Sequence, residues 1–185
     1  MGPTALLDAC VLYPVGLRDT LLSVAQAHAF LPLWSADIIA EVRGAILRFA
    51  TNVDPVRVDR MLADMQTAFP AAMVRGHAHL LNDMANHPSD RHVLAAAVAG
   101  GAQVIVTWNV RHFPRLACEP FGVRVQTPDD FLAGLHGEDP EAVLAALEKQ
   151  SHRYKAPPIS VDEILARHEA AMPRFVAAVR SRRDW

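Results

Sequence analysis

The sequence predicts an α/β fold in which a parallel sheet of four or five strands lies between two layers of helices and is followed by a C-terminal helical extension. Three observations carry this prediction. Short apolar runs alternate with amphipathic stretches along residues 4–135, the pattern of strands joined by crossover helices. One of these runs, Gln103-Val104-Ile105-Val106-Thr107, is the clearest buried strand in the chain. From Asp139 onward the pattern is helical only, in three pieces separated by Ala156-Pro157-Pro158 and Met172-Pro173. The expected organisation is a sheet domain over residues 1–135 and a helical extension, packed on it, over residues 136–185.

Each element has its own justification. Thr4-Ala5-Leu6-Leu7-Asp8 is a short apolar run that ends in an acid, with Pro14 and Gly16 soon after, as suits a buried parallel strand. Residues 18–29 form a helix with Leu21, Leu22, Ala25 and Ala29 on one face. An extended piece over residues 30–34 leads to Ser35, which caps a helix carrying Ile38, Ile39, Val42, Ile46 and Leu47. Asp54-Pro55 opens another helix that runs to about residue 69, with proline at the first helical position. A second short strand falls at residues 71–74, and a loop rich in His and Asn follows it. Ser89 is expected to cap a helix over residues 90–99 that Gly100-Gly101 terminates. After the strand at 103–107 come a loop over 108–114, a strand at 123–125 and a helix opened by Thr127-Pro128.

Composition narrows the function. At 185 residues, 51% hydrophobic and 21% charged, the chain is that of a folded protein and not of a disordered one. Its longest apolar stretch, residues 93–106, is interrupted by Gly100, Gly101 and Gln103 and is too short to span a bilayer. No secretory signal pattern opens the chain, so a cytoplasmic protein without membrane partners is expected. The two cysteines, Cys10 and Cys118, lack zinc-ligand spacing and are expected to be reduced. Residues 1–150 hold 11 basic and 16 acidic side chains, whereas residues 151–185 hold 7 and 4, so an acidic body carries a basic tail. This balance excludes gripping nucleic acid by global charge but permits a local acidic pocket.

In an open parallel sheet, ligands bind beyond the carboxyl ends of the strands. Asp8 ends the first strand, Asp90 starts the helix before the central strand, and Asn109 lies just past that strand. Glu41 sits about two turns into the second helix, on the side of Ile38 and Val42. Taken singly these residues read as a turn aspartate, a helix-dipole partner, an Asx-turn former and a solvated glutamate. Taken together they place three carboxylates and a carboxamide at one edge, where mutual repulsion calls for a cation. Magnesium or manganese is the hard-oxygen choice. His77, His79, His87 and His92 lack the spacing of a zinc site. A phosphatase of the aspartyl-phosphate type needs a second aspartate where Cys10 stands, and no Gly-rich nucleotide loop exists.

Four segments, in order, resemble the PIN-domain ribonucleases, a family that includes VapC-type toxins of toxin–antitoxin pairs. They are Leu6-Leu7-Asp8-Ala9-Cys10-Val11-Leu12-Tyr13-Pro14, Trp34-Ser35 through Ile39-Ala40-Glu41-Val42, Ser89-Asp90-Arg91-His92-Val93-Leu94-Ala95-Ala96-Ala97, and Val104-Ile105-Val106-Thr107-Trp108-Asn109-Val110-Arg111-His112-Phe113-Pro114. The resemblance covers residues 4–135, and the helical tail is similar to one found in a subgroup of the family. It implies that Asp8, Glu41 and Asp90 bind metal, with Asn109 where many members carry a fourth aspartate and His112 where a further acid often precedes the Phe. These two departures lower the negative charge of the site. Thr107 stands in for the small polar residue that often follows the first aspartate.

The resemblance further implies magnesium- or manganese-dependent hydrolysis of single-stranded RNA, with the cation activating water and neutralising phosphate charge. Arg18, Arg43, Arg111 and His112 are candidate substrate contacts. Trp108 is a candidate to stack a base, whereas Trp34 is expected in the core. The expected partners are a small antitoxin protein and a second copy of the chain. The competing reading is a non-catalytic PIN-fold module that binds RNA or protein without cutting.

Overall fold

The computed structural model describes residues 2–183. Its centre is a five-stranded, all-parallel sheet in the order β3-β2-β1-β4-β5, formed by β1 (Thr4–Leu7), β2 (Leu31–Ser35), β3 (Met73–Val74), β4 (Val104–Val106) and β5 (Arg124–Gln126). In register, Leu6 lies opposite both Leu33 and Ile105, and Ile105 lies opposite Val125. Every residue of Ala5–Leu7 and Val104–Val106 is buried, so both faces of the two central strands are covered. That double coverage is why these runs read as continuously apolar and not as alternating.

Helices make the crossovers. They are α1 (Ala9–Leu12), α2 (Val15–Gln26), α3 (Ala36–Phe49), α4 (Pro55–Ala68), α5 (Arg91–Ala99), α6 (Arg115–Cys118) and α7 (Pro128–Glu138). The starts read from polar residues are mostly side-chain caps. Ser35 accepts from the Ile38 N–H, Asp54 from Val56 and Thr127 from Asp130. Gly101, at φ +65°, turns the chain out of α5. A Cβ on Gly100 would fall 2.7 Å from Leu33 Cδ1, so the end of α5 sits against β2 with no room for a side chain.

Three local expectations need correction. Ser89 does not cap α5: it lies in a 3-10 turn, Pro88–Asp90, and its hydroxyl donates to the Asp90 carboxylate. The hydroxyl proton goes to the neighbouring carboxylate, and among the described residues no helix N–H donates to the Ser89 oxygen. Residues 9–12 form the short α1, and α2 begins at Val15 instead of Arg18. The His-rich segment is a 3-10 helix, His77–Asp83.

The C-terminal part forms α8 (Pro140–Arg153), α9 (Val161–His168) and α10 (Pro173–Arg183). One apolar core runs from the sheet into these helices and includes Leu147, Leu165, Phe175 and Val179. Buried polar contacts stitch the seam. Thr20 Oγ1 on α2 meets His168 Nε2 at 2.9 Å and Gln150 Oε1 at 3.2 Å. Asp129 on α7, itself buried, accepts from the Phe175 N–H at 2.7 Å and so holds the first turn of α10. Burial lowers the pKa of His168, with Arg167 adding to the effect, so the fold disfavours the charged ring.

Candidate active site

The two central strands end together, and their ends carry the first polar side chains of the edge. The Asp8 N–H donates to the Val106 carbonyl at 3.1 Å, so Asp8 extends the β1–β4 ladder by one rung. Its carboxylate does not cap α1. Asp8 Oδ2 instead accepts from Thr107 Oγ1 at 2.6 Å, with Cys10 Sγ 3.1 Å away. The fully buried Thr107 hydroxyl also accepts from the Asn109 N–H at 2.9 Å, which fixes the loop after β4.

Asp8 is 5% exposed, and burial raises its pKa against the lowering by Thr107 and Cys10, with the Asp90 carboxylate adding to the rise. The Cys10 thiol is pushed up to about 12 by burial and by Asp8, so it is a neutral neighbour and not a thiolate.

Glu41 projects from α3 with its side chain about half exposed, and its Oε1 lies 3.2 Å from His92 Nε2 on α5. The contact lies just outside good hydrogen-bond alignment at the His92 nitrogen. Glu41 raises the pKa of His92 against the lowering by burial, and Asp37 and Asp8 add smaller upward effects. Asp90, half-buried at the start of α5, accepts from Ser89 Oγ at 2.6 Å and faces His112 Nδ1 at 2.8 Å.

The edge thus gathers Asp8, Asp90 and, through His92, Glu41 into one electrostatic neighbourhood. The three acids do not close into a tight ligand set. Among the described residues, the trio with donor atoms within 4.8 Å of one another is His87, Asp90 and His112. Glu41 and Asp90 are each turned toward a histidine, Glu41 toward His92 and Asp90 toward His112. Asn109 is half-buried, and its backbone, not its carboxamide, holds it to Thr107.

The arginines divide. Arg18 is corrected as a substrate contact: it is 6% exposed and donates to the Leu12 carbonyl at 2.8 Å, satisfying the end of α1. Arg43 pairs with Asp59 across the α3–α4 surface. Arg111 is exposed in the 3-10 turn Val110–His112 beside Asn109. Trp34 is fully buried, as expected, and Trp108 is 38% exposed.

Sequence reasoning missed three neighbours of the acids: Cys10 on Asp8, His92 on Glu41 and Ser89 on Asp90. Cys10 lies two residues past Asp8, a spacing that carries no recognised signal, and His92 is far from Glu41 in sequence. Ser89 was read as a cap because a serine before a helix usually is one.

Comparison with known proteins places the chain in a family. Residues 128–181 match the family described as VapC50 C-terminal domain. Over 109 residues the chain is 38% identical to the Mycobacterium tuberculosis (strain ATCC 25618 / H37Rv) protein named "Putative ribonuclease VapC50", an alignment covering 59% of this chain and 64% of that protein. The chain therefore spans just under two thirds of the length of this curated relative. No solved structure matches. Residues 4–111, more than half of the chain and the span that carries all three acids, match the family described as PIN domain, and the chain belongs to that family.

Proposed function

We propose that this chain is an endoribonuclease that cleaves single-stranded RNA with the help of magnesium or manganese, and that it is the toxin of a toxin–antitoxin pair. The observation that supports this most is Asp8: a buried carboxylate at the tip of the central strands, with a raised pKa and a second carboxylate bearing on it. A protein maintains such an uncompensated charge where a cation neutralises it. The donor set fits a hard divalent ion, since Asp8, Asp90, Glu41 and the Asn109 carboxamide all offer oxygen. Such an ion supplies a lowered pKa for water and charge neutralisation at the phosphate.

The chain's own residues do the positioning. Thr107 ties down Asp8 Oδ2, which leaves Oδ1 as the oxygen to act as a ligand. Asp90 and Glu41 turn from His112 and His92 to complete the set. Exposed Arg111 meets the phosphate backbone, His112 borders it, and Trp108 stacks a base. Arg43 contributes to the same positive rim. The relative's printed name, a ribonuclease, points the same way. A small antitoxin protein that occludes the edge and a homodimer complete the reading, with residues 1–135 as the nuclease unit and 136–185 as its packed extension.

The test is cleavage of a labelled RNA pool with magnesium, manganese or chelator. Wild type should cut only with metal, and Asp8→Asn should not cut. A wild type that never cuts, or an Asp8→Asn that cuts equally well, replaces the nuclease with the non-catalytic binding module. Light scattering that reads one 20.2 kDa chain at micromolar concentrations would remove the homodimer.

A further inference from the structure

A cavity of about 640 Å³ opens beside β5 and contains none of the acids. Its apolar lining includes Phe113 and Val123, both buried, and Val110, which is 37% exposed. Val110 and Phe113 belong to the loop that follows β4 and carries Asn109 and Arg111.

The sheet fixes where this cavity stands relative to Asp8. Leu7, Val106 and Gln126 lie in one row across β1, β4 and β5, and the Thr107 N–H donates to the Gln126 carbonyl at 3.0 Å. Neighbouring strands lie about 4.8 Å apart, so Gln126 stands about 10 Å along the carboxyl edge from the residue before Asp8. A neighbouring nucleotide of an RNA held at Asp8 reaches that far.

The polar groups of the cavity are mostly donors. Arg115 and Glu119 satisfy each other through contacts of 2.8 and 3.2 Å. Arg124, exposed on β5, enters no ion pair among the described residues, and the Gln126 carboxamide is half-buried on the same face of the strand. Because β5 is the outermost strand, alternation along it turns the Val125 N–H and C=O away from β4.

We propose that this cavity is a base-reading subsite that takes a guanine next to the bond held at Asp8, with Arg124 as its specificity-determining residue. An apolar lining accepts the flat of any base, whereas a guanidinium without an acid partner selects a base edge with two adjacent acceptors. Guanine O6 and N7 form that edge, and arginine meets them as a fork. Adenine puts an amino group where O6 stands and a pyrimidine has no N7, so each leaves part of the fork unmet. The inference rests on RNA as the substrate but not on its being cut.

The experiment measures the fluorescence anisotropy of labelled RNA hexamers, uridine throughout except for one internal guanine, adenine, cytosine or uridine, with chelator present so that none is cut. Wild type should bind the guanine hexamer about tenfold more tightly than the all-uridine one. Arg124→Ala should bring that ratio to about twofold or less at a melting temperature close to that of wild type, and Arg124→Lys should not restore it, because a point charge lacks the fork. Arg57→Ala, which removes the same charge from α4, should keep the ratio. Binding by wild type without a base preference, no hexamer binding at all, or a preference that survives Arg124→Ala would overturn the proposal. Sequencing the ends left with magnesium or manganese separates it from the nuclease reading. Selective binding without cuts removes the nuclease and leaves the subsite, whereas cuts with no guanine beside them remove the subsite and leave the nuclease.

Discussion

The carboxyl edge of the sheet and the seam between α2 and the C-terminal helices both bury polar side chains, and they treat them in opposite ways. At the seam each buried group meets its complement: the Thr20 hydroxyl lies between Gln150 and His168, and Asp129 receives the first amides of α10. At the edge, Asp8 is desolvated with another carboxylate bearing on it, and Glu41 and Asp90 are held by histidines. Satisfied burial stabilises, whereas like charges packed together cost free energy and await a ligand. The seam serves the fold, and the edge is where the proposed chemistry would act.

Replacing Asp8 tests that division most severely. Asp8→Asn should lower metal-dependent RNA cleavage by about a hundredfold or more, because it removes a charged ligand. It should also raise the melting temperature of the metal-free protein. A variant that loses activity and stability together would mean that Asp8 belongs to the scaffold.

Phe175→Ala, fully buried in α10, should have the reverse profile. It should cost about 3–5 kcal/mol, the usual range for losing a buried phenylalanine, read by denaturant unfolding. Thr20→Val keeps the shape but leaves His168 and Gln150 without their partner, at a cost of about 1–3 kcal/mol. Additivity of the two losses would show that core and polar seam act independently.

The two regions should also answer pH with opposite signs. His168 has a lowered pKa in the fold, so its contribution is present above the unfolded value near 6.5 and is lost as pH falls through the folded value. Asp8 has a raised pKa, so stability is greatest below its unfolded value of 3.8 and declines as pH rises through the folded value. Melting curves from pH 4 to 8 should therefore show the advantage of Asp8→Asn shrinking toward acid, while His168→Gln flattens the acid limb. The smallest effect belongs to Arg43→Ala. Its ion pair with Asp59 is exposed, so stability should not change measurably, while cleavage falls modestly if Arg43 meets RNA.

Much of this was legible in the sequence for physical reasons. The strand at 103–107 and the caps at Ser35, Asp54 and Thr127 declare themselves because burial and capping act on neighbouring residues. The position of Asp8 was legible as well, since a strand end has one place to be in a parallel sheet. What stayed hidden depends on pairs distant in sequence. His112 reaches Asp90, Glu41 faces His92, and Arg18 turns inward to Leu12, contacts that no local pattern encodes. Ser89 was misread because a serine before a helix usually accepts a helix N–H, whereas here its hydroxyl donates to the neighbouring Asp90 carboxylate.

The Asp8 peptide group is itself a rung of the sheet, hydrogen-bonded to Val106. In kinetic terms, the backbone carrying this carboxylate moves only when the two central strands open, so its amide should exchange with solvent among the slowest in the chain. The Glu41 side chain, half exposed on α3, changes rotamer in picoseconds to nanoseconds. Under the proposed function, a ligand arriving at the edge would meet one stationary carboxylate and one that swings in to join it, with the order of contact set by the backbone.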